Sequence, residues 1–187
     1  MKTKNLFLTA AILISGLVSV NEVMAEGTPA NADNVTLNIK FKPIQTILVN
    51  PSQKNVDIEY YTKDDYNNGV SVTKEDHLTV FSTGGFTVSV QTNGDFTKGT
   101  ENIAASDMVV LAEAGSDNTS GGTFSSVNLS TTQTSLISSE KGGSELKYNI
   151  TYNNEAGGGY KYIDKYTHPD TPESIYTADV TYTIVAN

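Results

Sequence analysis

Among its 187 residues the chain has no cysteine, no arginine and no tryptophan. Without cysteine there is no disulfide, no thiol nucleophile and no thiolate metal site. Without arginine there is no planar fork to grip phosphate or carboxylate in bidentate fashion. All 12 basic residues are lysines, and they face 21 Asp plus Glu. An acidic surface of this kind disfavours nucleic acid as a partner, because phosphate binding depends on cation release by Lys and Arg. It suits solubility outside a cell instead. Sustained 3.6-residue periodicity is also missing beyond the N-terminus, and so is any second long apolar run.

The one apolar run is a targeting segment. Lys2 and Lys4 precede Leu6–Val20, which is interrupted only by Thr9, Ser15, Gly16 and Ser19, and Val23-Met24-Ala25 supplies a small residue for cleavage. Residues 1–25 are therefore expected to be a removable signal peptide, since the run is shorter than the ~20 residues that span a bilayer. No cysteine follows it, so no lipid anchor is expected. After cleavage nothing is apolar enough to span a membrane, and the protein is expected to be secreted or held at a cell surface. The mature chain would start at Glu26 and carry 10 Lys against 20 Asp plus Glu, a formal charge of −10.

What remains is patterned for strands. Residues 26–34, rich in Gly, Pro, Ala and Asn, read as a flexible lead. Val35, Leu37, Ile39 and Phe41 then alternate with Thr36, Asn38 and Lys40. Pro43 interrupts this ladder, and Ile44–Val49 resumes it. Val56–Tyr61 alternates next, and Asn68-Gly69 signals a hairpin turn. Val70–Thr73, His77–Ser82, Phe86–Thr92, Met108–Leu111, Phe124–Leu129, Leu146–Tyr152 and Tyr176–Val185 complete a series of nine to eleven short strands. Turn signals such as Gly84-Gly85, Asn93-Gly94 and Gly157-Gly158-Gly159 space them. Short strands at this spacing predict an all-β fold, a two-sheet antiparallel β-sandwich of immunoglobulin-like or pilin-like kind. Residues 35–187 are long enough for a single such domain without staples.

Catalytic patterns fail on inspection. Ser138-Ser-Glu-Lys141 and Ser116-Asp117-Asn118 match two short motifs of penicillin-binding enzymes, but in the wrong chain order, and both read as loops. Gly142–Leu146 misses the last glycine of a nucleophile elbow. His77 and His168 are the only imidazoles and read as surface residues. No enzyme activity, resident metal or cofactor is expected.

Two binding readings carry more chemistry. From Asp64, a twelve-residue calcium-loop spacing puts Asp64, Asn68, Gly69 and Glu75 at their proper positions, although Tyr66 stands where a ligating Asp or Asn belongs. The alternative is a solvated turn. The second concerns tyrosine: seven of ten lie beyond residue 147. Tyr148, Tyr152, Tyr176 and Tyr182 share faces with Leu, Ile or Val and read as core. Tyr160, Tyr162 and Tyr166 are freer, and rings on one face can stack on a glycan.

Gly84–Val90, Leu146–Tyr152 and the Tyr176–Val185 strand give the chain a layout that resembles exported bacterial β-sandwich surface proteins, pilin-like subunits and WxL-type domains of unknown function among them. The resemblance spans residues 35–187. It implies a structural or adhesive surface component, a pilin-like subunit, with itself or related surface subunits as partners. The missing tryptophan removes the WxL motif, and the missing cysteine removes the disulfide common in chaperone–usher pilins. In such a setting Val35, Leu37, Ile39 and Phe41 either form the first strand of their own domain or are donated to a neighbour's sheet edge. A secreted carbohydrate-binding module using the exposed tyrosines is the alternative.

Overall fold

A computed structural model describes residues 33–118, 121–167 and 173–187. The signal-peptide cleavage region, the 26–32 part of the lead and His168 lie outside the described residues. The chain divides into two units, Met1–Ile39 and Lys40–Asn187. Of the first unit, residues 33–39 are described. They form neither helix nor strand, and all are exposed.

The second unit is β-rich and antiparallel. One sheet holds five strands, β1 (Gln45–Val49), β2 (Val70–Ser82), β10 (Gly143–Asn154), β6 (Val109–Ala114) and β8 (Ser126–Asn128), adjacent in that order. The other holds four, β11 (Val180–Ala186), β3 (Phe86–Thr92), β9 (Thr134–Ser139) and β7 (Thr123–Phe124). A separate hairpin pairs β4 (Phe96–Lys98) with β5 (Glu101–Ile103).

Alternation decides which side chains are buried. In β3, Phe86, Val88 and Val90 are buried, and in β10 the same holds for Leu146, Tyr148, Ile150 and Tyr152. Leu78 and Val80 of β2, Leu136 and Ile137 of β9 and Val110 of β6 join them in one apolar cluster fed by both sheets. Each such side chain contributes about 1.5–3 kcal/mol on leaving water, while Thr87 and Gln91 of β3 and Lys147, Asn149 and Thr151 of β10, on the other faces, are half-buried.

Several sequence expectations change. Val70–Thr73 and His77–Ser82 are one continuous strand, bent at Asp76, whose φ of 48° coincides with a register shift opposite Tyr148–Ile150. There Glu75, Asp76 and His77 stand opposite Asn149 alone, an irregularity that interrupts the alternation and makes one strand read as two. Asp64–Gly69 is no hairpin turn. Lys63–Asn68 forms a short α-helix, α1, opened by a capping box in which Thr62 accepts from the Asp65 amide and Asp65 accepts from the Thr62 amide. Gly69, at φ 79°, ends it, and a Cβ there would lie 2.5 Å from the Asn154 carbonyl oxygen. Ser138 sits in β9, a strand too rich in Ser and Thr to stand out.

The segments flanking the expected strands matter most. Val35–Phe41 makes no ladder, and Val35, Leu37, Ile39 and Phe41 are 84–92% exposed. It is therefore not the first strand of its own sheet among the described residues; β1 is. Val56–Tyr61 is extended, with Val56, Ile58 and Tyr60 half-buried and Asp57, Glu59 and Tyr61 exposed, yet it pairs with no strand. Tyr160–Asp164 is a chain of turns, and Lys165 and Tyr166 follow it outside any regular element.

Candidate functional site

A cleft lies beyond the Val49 end of β1 and before the start of β11. Its walls are Lys54–Tyr61 and Glu173–Asp179, its floor includes Phe96, Ile103 and Met108, and its volume is about 910 Å³. A smaller cavity of about 350 Å³ shares Val56, Ile58, Phe96 and Met108 with it and ends on His77, Tyr152 and Tyr182.

Both walls expose backbone. Among the described residues, the main chain of Asn55–Tyr60 makes no hydrogen bond. The reason is positional: Asn50 caps a turn at Pro51–Gln53 that carries the chain out of register with β2. On the opposite wall, Thr177 exchanges both hydrogen bonds with Thr97 at 3.0 and 3.1 Å, and the Asp179 carbonyl accepts from the Asn93 amide at 3.0 Å. In an extended chain the intervening residues aim their N–H and C=O groups the other way. Those groups belong to Tyr176 and Ala178 and bond nothing among the described residues.

The outer floor is pinned by a polar cluster. Tyr60 donates to the Asn154 side-chain oxygen at 2.6 Å, while the Asn154 amide donates to the Asp107 carbonyl at 2.8 Å. Tyr162 donates to the Asp107 carboxylate at 2.8 Å, and the Lys161 ammonium reaches the same oxygen at 2.7 Å. Burial pushes the Tyr60 phenol up to about 12 and raises that of Tyr162 as well. A side chain at Gly157 would collide with the Tyr60 hydroxyl and the Tyr162 ring, so glycine lets the 3-10 turn Glu155–Gly157 close over them.

This cluster revises the tyrosine expectation. Tyr162 is 5% exposed and its ring lies edge-on to Tyr60 at 5.6 Å, so it offers no face for stacking. Tyr160 and Tyr166 are half-exposed, and only Tyr166 lines the cleft. The tyrosines lining it are Tyr60, Tyr61, Tyr66, Tyr162, Tyr166 and Tyr176, with Tyr162 buried in the polar cluster of the floor. In the sequence Tyr60 and Tyr61 read as parts of an ordinary strand, and no local signal marks them as lining a cleft.

His77 is likewise not a surface residue. It is 2% exposed. Gln53 donates its amide to the Glu75 carbonyl at 3.0 Å, which turns its oxygen toward His77 Nδ1, 2.9 Å away. Nδ1 therefore carries the proton, and Nε2 accepts from the Tyr152 hydroxyl at 3.0 Å. Tyr152 in turn pairs with the Tyr182 hydroxyl at 2.7 Å. Burial first, and the Lys74 charge second, hold the imidazole below its ordinary value. With both nitrogens engaged in a neutral chain of hydrogen bonds, His77 joins β2, β10 and β11.

The calcium spacing meets a different use of its residues. Asp64 and Asn68 lie in α1, Gly69 ends it, Glu75 lies within β2, and no group of three or more His, Asp or Glu among the described residues is arranged to hold a metal ion. No helix among them is long and apolar enough to cross a membrane. No known protein-family model matches the chain, and no curated protein matches it.

Proposed function

We propose that the chain is an exported, non-catalytic surface subunit of pilin-like kind, structural or adhesive, built as a two-sheet β-sandwich that self-associates through Val35–Phe41. The sandwich reading is supported by one apolar cluster drawing on both sheets and by the chain passing from one sheet to the other at Thr123–Asn128. The observation that carries self-association is the exposure of Val35, Leu37, Ile39 and Phe41 on a single alternating face. Four large apolar side chains in water at two-residue spacing are a strand-like pattern with nothing to pair with, the kind of segment that adds to a neighbour's sheet edge.

The test is the size of the mature protein as a function of concentration. The wild type is expected to grow into dimers and larger species. The double variant Leu37→Asp, Ile39→Asp is expected to stay monomeric with an unchanged melting temperature, because neither side chain is buried. A wild type that remains monomeric at high concentration defeats the proposal. If that monomer bound a polysaccharide, and Tyr166→Ala abolished binding, the chain would instead be a carbohydrate-binding module. That second reading is favoured by the tyrosines around the cleft.

A further inference from the structure

We propose that the smaller cavity behind the cleft is a binding site for an uncharged phenol-type molecule, an aromatic body whose one hydroxyl donates to Tyr182. Binding there is independent of self-association.

The cavity has the form of a ligand pocket. Its volume of about 350 Å³ falls within the range of about 300–1,000 Å³ in which small molecules bind. Val56, Ile58, Phe96 and Met108 line both it and the outer cleft, as do Lys54 and Asp179. These residues mark its open side. Val49, Leu129, His77, Tyr152 and Tyr182 line the cavity and not the cleft, and so mark its inner end. The body is therefore apolar, and hydroxyl and imidazole groups converge at one end. Phe96 and the Met108 thioether favour an aromatic occupant, because ring edges and sulfur both pack well against another ring.

The hydrogen-bond chain at the inner end selects the polar group that fits. Gln53 turns its oxygen toward His77 Nδ1, since its amide nitrogen donates to the Glu75 carbonyl. Nε2 therefore has no proton, and the Tyr152 hydroxyl gives its only hydrogen to it at 3.0 Å. The 2.7 Å contact between Tyr152 and Tyr182 is then made with the hydrogen of Tyr182. Both phenolic hydrogens are engaged, and the Tyr182 oxygen, with no further partner among the described residues, is left as an acceptor. A ligand hydroxyl can donate to it. An ether or carbonyl oxygen would meet only its lone pair.

Charge is disfavoured throughout. Burial raises the Tyr152 and Tyr182 phenols above their ordinary value, so both stay neutral. An ion brought to them would leave water without a partner of opposite sign. At the open side Lys54 and Asp179 carry one charge of each sign and exert no net pull.

Met108 supplies the readout. Of three methionines, Met1 and Met24 belong to the expected signal peptide, so Met108 is the one methionine of the mature chain. Its isotopically labelled methyl group gives a single nuclear magnetic resonance signal from inside the cavity. Titrating the full mature chain with para-ethylphenol is expected to give a saturable ring-current shift of that signal. The methyl ether of the same compound, which accepts but cannot donate, is expected to bind about tenfold more weakly. No saturable shift overturns the site, and equal affinity for phenol and ether overturns its acceptor end.

Two variants separate the causes. Gln53→Leu frees His77 to hold its proton on Nε2, which lets the chain of hydrogen bonds reverse, and the preference for the phenol is expected to disappear. A preference that persists in this variant overturns the direction assigned to the chain. Leu37→Asp with Ile39→Asp leaves the cavity untouched and is expected to bind as the wild type does. Binding lost in that variant overturns the cavity as the site, because the ligand would then sit between associated copies.

Discussion

The two lateral margins of the sheets are finished in opposite ways. At one, the chain itself crosses between layers: Thr123–Phe124 pairs with β9 in one sheet, and two residues later Ser126–Asn128 pairs with β6 in the other. The crossing puts Phe124 against Ile137 and buries Val127 behind it. At the other margin, β1 and β11 are edges, and the chain leaves the ladder after one and before the other. There the main chain of Asn55–Tyr60 is unpaired and Ile58 is only half-buried. A margin crossed by its own backbone satisfies its polar groups internally, whereas a margin flanked by departing segments leaves donors and acceptors unpaired.

The same truncation on each side measures this difference. Ile137, fully buried beside the closed margin, and Ile58, on the wall of the open one, are both isoleucines. In dilute, monomeric protein, Ile137→Ala is expected to lower the free energy of urea unfolding by about 2–5 kcal/mol, through lost transfer energy plus a cavity the neighbours cannot fill. Ile58→Ala is expected to cost about 1 kcal/mol, because less of its surface leaves water on folding. Equal losses would mean that the wall of the cleft is packed like the core, and the contrast between margins would fail.

The open margin also holds the one buried imidazole among the described residues, and its titration sharpens the contrast. In the folded state His77 is held below its ordinary value by burial and Lys74. The unfolded chain therefore takes up the proton first. As pH falls through about 6.5, the unfolded state binds protons that the folded state refuses, so stability falls until the folded imidazole itself titrates. Thermal melts from pH 7 to pH 5 are expected to show this loss in the wild type. They should show a flatter profile for His77→Gln, whatever that variant's absolute stability. Asp65 and Asp76 act lower down. Hydrogen bonds from Thr62 and Tyr61, and from Ser116, hold their carboxyls below the ordinary range, so their contribution is present above about 3.9 and lost only beneath it. Equal slopes for wild type and His77→Gln between pH 7 and 5 would remove His77 as the source.

How much of this was legible depended on what each segment had to satisfy. Phe86–Thr92 and Leu146–Tyr152 were readable because a strand buried on one face must alternate, and both do. The open margin was misread for the same reason. Val56–Tyr61 alternates as a half-buried strand does, and pattern alone cannot say that its backbone has no partner. Val35–Phe41 shows the limit most sharply, since its pattern is that of a strand and its exposure that of a segment with no sheet. The irregularity at Asp76 hid one long strand as two, and β9 hid behind Ser and Thr. At the site, Tyr162 was misplaced because a two-residue period was assumed where the chain makes turns. Tyr60 and Asp107 were missed because the cluster joining them to Tyr162 is built from residues far apart in sequence.

The smallest expected effect lies under the closed margin, at Tyr148. Its side chain is fully buried in β10, edge-on to Phe124 with ring centroids 6.1 Å apart. Its hydroxyl has no hydrogen-bond partner among the described residues. Under the open margin, by contrast, the hydroxyls of Tyr152 and Tyr182 are joined to each other and to His77. Alternation accounts for both arrangements: each ring faces inward, but only the open side has a polar neighbour of the right height. Burying an unpaired hydroxyl costs about 1–3 kcal/mol. Tyr148→Phe removes that cost while keeping the ring against Phe124, so it is expected to leave stability unchanged or raise it by up to about 1 kcal/mol. Tyr152→Phe, which strips a partner from His77 and from Tyr182, is expected to lower it. Urea unfolding of the two variants under one condition decides the matter, and a clear loss for Tyr148→Phe would mean that its hydroxyl has a partner and that the closed margin is not sealed against polar contacts.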